Sequence, residues 1–148
     1  MNRGRYRALN TLLFIGAALI LGVATTLDPD PRGTGTHLQL GLQPCVFLSS
    51  WGIPCPACGW TTSFALMVNF KVIAAFITQP FGAILSLITI ALAITSASEA
   101  MKPRDLWLLF HVRFRGRETL VASVFLVLMF AAWAYTITQK VIFLSEGP

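Results

Sequence analysis

Three long apolar runs divide the chain, and polar or helix-breaking residues separate them. The runs cover about residues 8–27, 80–98 and 120–138, and no Asp, Glu, Lys or Arg lies inside any of them. At about 1.5 Å per residue, a helix of this length crosses the hydrocarbon core of a bilayer. The pattern therefore predicts an all-α integral membrane protein with three transmembrane helices.

The segments between the first two runs are too interrupted to cross a membrane. Residues 28–60 begin with Asp28-Pro29-Asp30-Pro31 and are predicted to form an outward-facing loop at the headgroup level. In residues 61–78, Asn69 and Lys71 interrupt an apolar helical pattern, which predicts one or two short interfacial or re-entrant helices. Pro80 then suits the first turn of the second span.

Basic residues mark one side of the membrane. They occur before the first run and in residues 99–119. The polar residues from Glu99 onward are expected to end the second span. The loop 99–119 is predicted to contain a short amphipathic helix that lies on the membrane surface. Two spans separate these basic segments, so both are expected in the cytoplasm. The predicted location is the bacterial inner membrane, with the N-terminus inside and the C-terminus outside. A cleaved signal peptide is the alternative for the first run.

Composition agrees with this interpretation and excludes other classes. The 148 residues are 55% hydrophobic and 11% charged, whereas soluble proteins have about 25% charged residues. The expected organisation is one membrane domain, residues 1–148, in contact with the lipid bilayer. The net charge of +5 comes from residues that flank apolar runs, so nucleic acid is excluded as a partner.

Candidate chemistry is concentrated in Cys55-Pro56-Ala57-Cys58-Gly59. The threonines and serine that follow are expected to cap a helix, which leaves Cys55 more exposed than Cys58. Proline and glycine force a tight turn, so one interpretation is structural. A second is thiol–disulfide redox chemistry by Cys55 and Cys58, because a Cys-X-X-Cys at a helix N-terminus favours thiolate.

The third interpretation is a metal site. Cys45 and His37 are the candidates to complete the four ligands that zinc or another thiophilic metal requires, beside Cys55 and Cys58. No cofactor is predicted otherwise. No Ser/His/Asp set, carboxylate pair or phosphate-binding loop occurs, so no catalytic residue is assigned and a non-enzymatic protein is favoured.

The same stretch resembles a known family. Cys55 to Thr61, then an amphipathic helix, then Gln79-Pro80 opening a span, are similar to the DUF2752 family of small bacterial membrane proteins. That family reads Cys-Pro-X-Cys-Gly-X-Thr-Arg and later Asn-Pro; Thr62 replaces the arginine and Gln79 the asparagine. The resemblance covers about residues 55–94. It implies a membrane fold and a focal motif, but no reaction. The motif residues are Cys55, Pro56, Cys58, Gly59, Thr61 and Pro80.

The leading functional hypothesis is a structural or accessory subunit. Such a protein would act through contacts with another membrane component, either a different protein or a second copy of itself. Low charge and the lack of acid–base groups favour it over the redox and metal alternatives, which remain open.

Overall fold

The structure consists of helices and loops. The computed structural model describes residues 3–102 and 115–145, and no strand occurs within them. Within these two ranges, three helices are long and three are short, and a 3₁₀ turn lies at Thr36–Leu40. In chain order the helices are α1 (Arg3–Thr25), α2 (Val46–Trp51), α3 (Trp60–Val68), α4 (Val72–Thr78), α5 (Pro80–Met101) and α6 (Glu118–Ser145).

The three long helices have the length and composition of membrane spans. Their apolar parts are Gly4–Thr25, Pro80–Met101 and Glu118–Lys140, with mean hydropathies between 2.0 and 2.2. Few residues of these segments are buried in the folded chain, as expected when lipid covers the others. The predicted all-α membrane fold with three long apolar helices is confirmed.

Helices α1 and α5 form an antiparallel pair. One turn into α1, the Tyr6 hydroxyl donates a 2.7 Å hydrogen bond to the Glu99 carboxylate near the end of α5. The buried face of α1 continues with Asn10, Ala17 and Ala24, spaced seven residues apart. Seven residues are about two helical turns, so these side chains share one stripe. A small-residue stripe allows the two backbones to approach closely.

The position of Glu99 differs from the prediction. The sequence pattern places Glu99 in the polar region beyond the second span, but α5 continues to Met101 and the Glu99 side chain is fully buried. Its contact with Tyr6 explains the difference, because a hydrogen-bonded carboxyl is tolerated inside a helix pair.

Residues 61–78 form two short helices, as the polar interruptions indicate. The chain reverses between α3 and α4 at Phe70, whose φ of 59° is left-handed and whose side chain is 91% exposed. Leu66 and Met67 of α3 then pack with Ala75 of α4 and Ala83 of α5. The short helices are therefore anchored on the first turns of the second span.

Helix α6 is hydrogen-bonded to the rest of the fold near its C-terminal end. Three of its side chains reach residues of the loop between α1 and α3 or of α4. These bonds are Trp133 Nε1 to the Pro54 carbonyl (2.7 Å), Tyr135 hydroxyl to the Ile77 carbonyl (2.9 Å), and Lys140 Nζ to Thr34 Oγ1 (3.3 Å). The C-terminal half of α6 and the cysteine-bearing loop, residues 28–60, thus occupy the same end of the molecule.

Two predictions are not decided by this arrangement. The amphipathic surface helix of the basic loop, residues 99–119, falls mainly on residues 103–114, which lie outside the described residues. The division of the chain into a single membrane domain with the stated boundaries also stays a prediction.

Candidate functional site

A tight turn brings the cysteine motif to the start of α3. The backbone N–H of Cys58 donates to the Cys55 carbonyl at 2.9 Å, and that of Trp60 to the Ala57 carbonyl at 3.2 Å. Gly59 follows with a φ of 91°. A Cβ atom built on Gly59 would lie 2.9 Å from the Gly33 carbonyl oxygen. Both the left-handed backbone and the close approach require glycine here.

The predicted helix cap is wrong. Gly59 is the N-cap of α3 and no side chain caps the helix. Thr61, Thr62 and Ser63 all lie inside the first turn, because the left-handed glycine starts the helix early. Thr62 and Ser63 are buried and bond to other parts of the fold.

Those two hydroxyls connect the motif to its surroundings. Thr62 Oγ1 lies 2.8 Å from Thr36 Oγ1 of the cysteine-bearing loop. Ser63 Oγ is 3.1 Å from the Ala75 carbonyl and 3.2 Å from the Gln79 carbonyl. Thr62 is therefore a buried hydroxyl contact between α3 and the cysteine-bearing loop.

Gln79 has a role that the sequence did not reveal. Its side chain is fully buried, and its Oε1 accepts the N–H of Gly82 at the start of α5. Its Nε2 reaches the Pro56 carbonyl at 3.4 Å. The amide therefore caps the second span and also faces the cysteine turn. The one sequence signal was a hydrogen-bonding amide immediately before Pro80, a common N-cap position.

The structure brings three cysteine sulfurs together. The Sγ atoms of Cys45, Cys55 and Cys58 all lie within 4.8 Å of one another. Cys55 Sγ and Cys58 Sγ are 3.4 Å apart, well beyond a disulfide bond of about 2.05 Å, so the thiols are free. Cys55 is half-buried and Cys58 buried, which is the predicted order. His37, the fourth predicted metal ligand, is not in this group.

The pKa values of Cys45 and Cys58 are shifted in opposite directions. Burial raises the pKa of Cys58 to about 12, and hydrogen bonds with Cys55 and Cys45 act in the same direction. Burial also opposes ionisation of Cys45, but hydrogen bonds from the Leu48 backbone N–H and from the other two thiols outweigh it and lower the Cys45 pKa to about 7. Of these two thiols, Cys45 is therefore the one that ionises more readily.

The spacing of the sulfurs suits a shared ion. Thiolates at about 2.3 Å from a tetrahedral zinc ion are about 3.8 Å apart. The observed separations, 3.4 Å for one pair and up to 4.8 Å within the group, bracket that value. Small side-chain rotations would place all three sulfurs on one ion and leave a fourth position open.

A family comparison matches the part of the chain that contains the three thiols. Residues 45–93 match the family model DUF2752, described as a protein of unknown function. The predicted resemblance is confirmed. The DUF2752 match begins at Cys45, so it includes all three thiols, the short helices α2, α3 and α4, and more than half of α5. Searches of curated proteins and of solved structures return no match.

Proposed function

We propose that this multi-pass membrane protein binds a thiophilic metal ion through Cys45, Cys55 and Cys58. The observation that carries the proposal is the convergence of three Sγ atoms within 4.8 Å. Two of these cysteines are neighbours in the motif, but Cys45 lies on the far side of α2. Folding therefore creates the third ligand position.

The ligand set determines the class of metal. Thiolates select soft or borderline ions such as Zn²⁺ and Cu⁺ over Mg²⁺ or Ca²⁺. With three protein ligands the fourth zinc position is available to water or to a group from another molecule, whereas purely structural zinc sites are closed by four protein ligands. His37 is not required in this proposal.

Metal titration tests the proposal directly. The purified protein in detergent is reduced, cleared of metal with a chelator, and titrated with Zn²⁺ and with Cu⁺ under anaerobic conditions. We expect one ion per chain by mass spectrometry. Cys45→Ser and Cys58→Ser should each lower the affinity at least tenfold, as loss of one ligand removes a strong metal–sulfur bond. His37→Ala is the matched control and should bind like the native protein.

Two results would contradict metal binding at this site. One is stoichiometric binding that survives both serine substitutions, which would place the ion elsewhere. The other is the absence of binding by the reduced protein at micromolar metal.

Thiol–disulfide exchange is the second candidate, because the sulfurs of Cys55 and Cys58 are 3.4 Å apart and the Cys45 sulfur lies within 4.8 Å of both. Here Cys55 and Cys58 would form a disulfide and pass two electrons and two protons to a partner disulfide, which becomes a dithiol. The Cys45 thiolate would then attack the Cys55–Cys58 disulfide, form a new disulfide with one of the two sulfurs and release the other as a thiolate. A Cys55–Cys58 disulfide isolated from cells, together with no metal binding after reduction, would favour this function over the first.

We also propose that the protein acts as an accessory subunit in contact with another membrane protein or with a second copy of itself. A metal-binding or redox-active membrane protein without a recognisable catalytic acid–base set in its sequence fits an accessory subunit that serves another membrane protein. The amount and composition of complexes captured after mild crosslinking in cells tests this role, and a protein isolated only as a lone monomer would argue against it.

The proposed location is the bacterial inner membrane, with the cysteine-bearing loop outside. The basic N-terminus and Lys102 support a cytoplasmic position for the opposite end. The test uses a chain in which all three cysteines are replaced by serine and a single new cysteine is introduced. Leu42→Cys reports on the cysteine-bearing loop, where the Leu42 side chain is 56% exposed, and Lys102→Cys reports on the opposite end. We expect a membrane-impermeant maleimide to label the first in intact spheroplasts and the second only after permeabilisation. The opposite pattern would invert the topology.

A further inference from the structure

A cavity lies beside the cysteine-bearing loop, near the C-terminal end of α6. It encloses about 510 Å³ between that loop, α4 and α6. Its lining combines the apolar Leu48 and Ile77 with hydroxyl groups and two cationic side chains, Arg32 and Lys140. None of the three thiols lines it, so it is separate from the proposed metal site.

The charges at this cavity leave an excess of one positive charge. Arg32 is paired with Asp30 through Nε to Oδ1 at 3.1 Å and Nη2 to Oδ2 at 2.7 Å. Asp30 thereby neutralises Arg32, and its own pKa is lowered mainly by the hydrogen bond from that side chain. Lys140 is left as the excess charge among the described residues that line the cavity.

Lys140 makes one hydrogen bond and retains further donors. Its ammonium group has three N–H donors, and Thr34 Oγ1 is the acceptor it meets in the described part of the chain, at 3.3 Å. The remaining donors are available to a ligand in the cavity. Arg32 also keeps donors, because its side chain is 71% exposed and its contact with Asp30 uses only part of the guanidinium.

The cavity lies where lipid headgroups are expected. Trp133 and Tyr135 belong to the same end of α6, and aromatic side chains of this type concentrate at the membrane–water boundary. The apolar runs of α6 end near Lys140, the last residue of its apolar span. A ligand reaching this cavity from the bilayer would present its headgroup to Lys140 and its apolar part to Ile77.

We propose that this cavity binds the phosphodiester group of an anionic phospholipid. A phosphodiester carries one negative charge, which matches the excess charge of the site, and its oxygens accept hydrogen bonds from ammonium and guanidinium groups. Lipid bound here would touch the cysteine-bearing loop, α4 and α6 at once, and would thereby join the third span to the rest of the fold.

Native mass spectrometry with defined lipids tests this proposal. The full-length protein in detergent is offered phosphatidylglycerol and phosphatidylcholine at equal concentration. We expect preferential retention of phosphatidylglycerol. Lys140→Gln should reduce its affinity about fivefold, the factor that corresponds to one basic residue at an anionic membrane surface. Lys140→Arg should keep it, and Lys71→Gln, which removes an exposed cation outside the cavity, should have no effect.

The Asp30–Arg32 pair supplies an internal check on the charge argument. Arg32→Gln exposes the Asp30 charge and should weaken phosphatidylglycerol binding, whereas the double substitution Asp30→Asn with Arg32→Gln restores the excess charge and should recover most of it. Equal loss in the single and double variants would overturn the proposed balance of charges.

Inorganic phosphate distinguishes the source of the ligand. Added phosphate at millimolar concentration should not displace the lipid, because the free ion lacks the apolar part that meets Ile77. Displacement by phosphate, or equal retention of the two phospholipids by the native protein, would overturn the proposal. Circular dichroism of each variant confirms that the helices are intact.

Discussion

Gly59 is the position where the backbone is most tightly constrained at the candidate site. Its φ is 91°, and the Gly33 carbonyl oxygen, together with the Cβ of Gln79 at 3.3 Å, occupies the space that a side chain would need. The turn that presents Cys55 and Cys58 is thereby closed against the cysteine-bearing loop.

We expect Gly59→Ala to destabilise the protein by more than the cost of a left-handed alanine. That conformation alone costs about 1–2 kcal/mol, and the steric conflict with the Gly33 carbonyl adds to it. The thermal unfolding midpoint in detergent measures the effect. Gly41→Ala is the matched control, because Gly41 has a φ of 74° and no atom lies within 4 Å of the point that a Cβ would occupy. Equal losses in both variants would show that the close approach at Gly59 is unimportant.

The sequence predicts which residues are chemically important better than it predicts their partners. Cys55, Cys58 and Gly59 are recognisable from their spacing in the chain. The convergence of Cys45 on the pair is one alternative among several at that level, because it depends on the path of α2. His37 is a candidate for the same reason, and the structure leaves it outside the thiol group. Long-range contacts of this kind leave no local pattern.

Buried polar residues are the least predictable. The sequence pattern predicts that Thr62 is one of the candidate helix caps and that Gln79 is a mild replacement for asparagine. In the structure both side chains are buried, and each is hydrogen-bonded to a residue that is distant in the chain. A polar residue in an apolar sequence looks like a surface position, but inside a membrane protein it is tolerated wherever a partner is supplied.

At the scale of elements, α6 is joined to the cysteine turn by one short hydrogen bond. Trp133 Nε1 donates to the carbonyl of Pro54, which is fully buried and immediately precedes Cys55. The same ring lies 6.2 Å from Phe130, so phenylalanine at this position would keep much of the apolar contact.

We expect Trp133→Phe to loosen the cysteine turn without unfolding the helices. Loss of the donor leaves a buried carbonyl unsatisfied, which costs about 1–3 kcal/mol. The rate of Cys55 alkylation in reduced, metal-free protein should therefore rise. Trp51→Phe serves as the control, because Trp51 is 70% exposed. The same alkylation rate in all three proteins would mean that α6 does not stabilise the turn.

The elements themselves are largely predictable. All three long helices follow from uninterrupted apolar runs, and the break at Phe70 falls between the polar residues that indicate it. The six-residue α2 is not expected from the sequence, because a helix of that length has little propensity of its own and forms through its context.

At the scale of the whole molecule, the two ends carry different chemistry. One end holds the thiol group, the cavity beside Lys140 and the hydrogen bonds that attach α6. The other holds the Tyr6–Glu99 contact. Hydropathy predicts the three helices that run between these ends. Only the folded structure shows that the third helix is hydrogen-bonded to the rest of the fold at the end that holds the thiols.

The pairing of α1 with α5 bears on how the chain is made. The first helix enters the membrane well before the second, whose Glu99 carboxyl would cost up to about 3 kcal/mol in contact with lipid, depending on depth. The Tyr6 hydroxyl of the first helix donates a hydrogen bond to this carboxyl group. A chain from which the first helix had been cut would have to insert α5 without that hydroxyl. The helix synthesised first thus lowers the cost of inserting the second one, by supplying a hydrogen-bond donor for its carboxyl group.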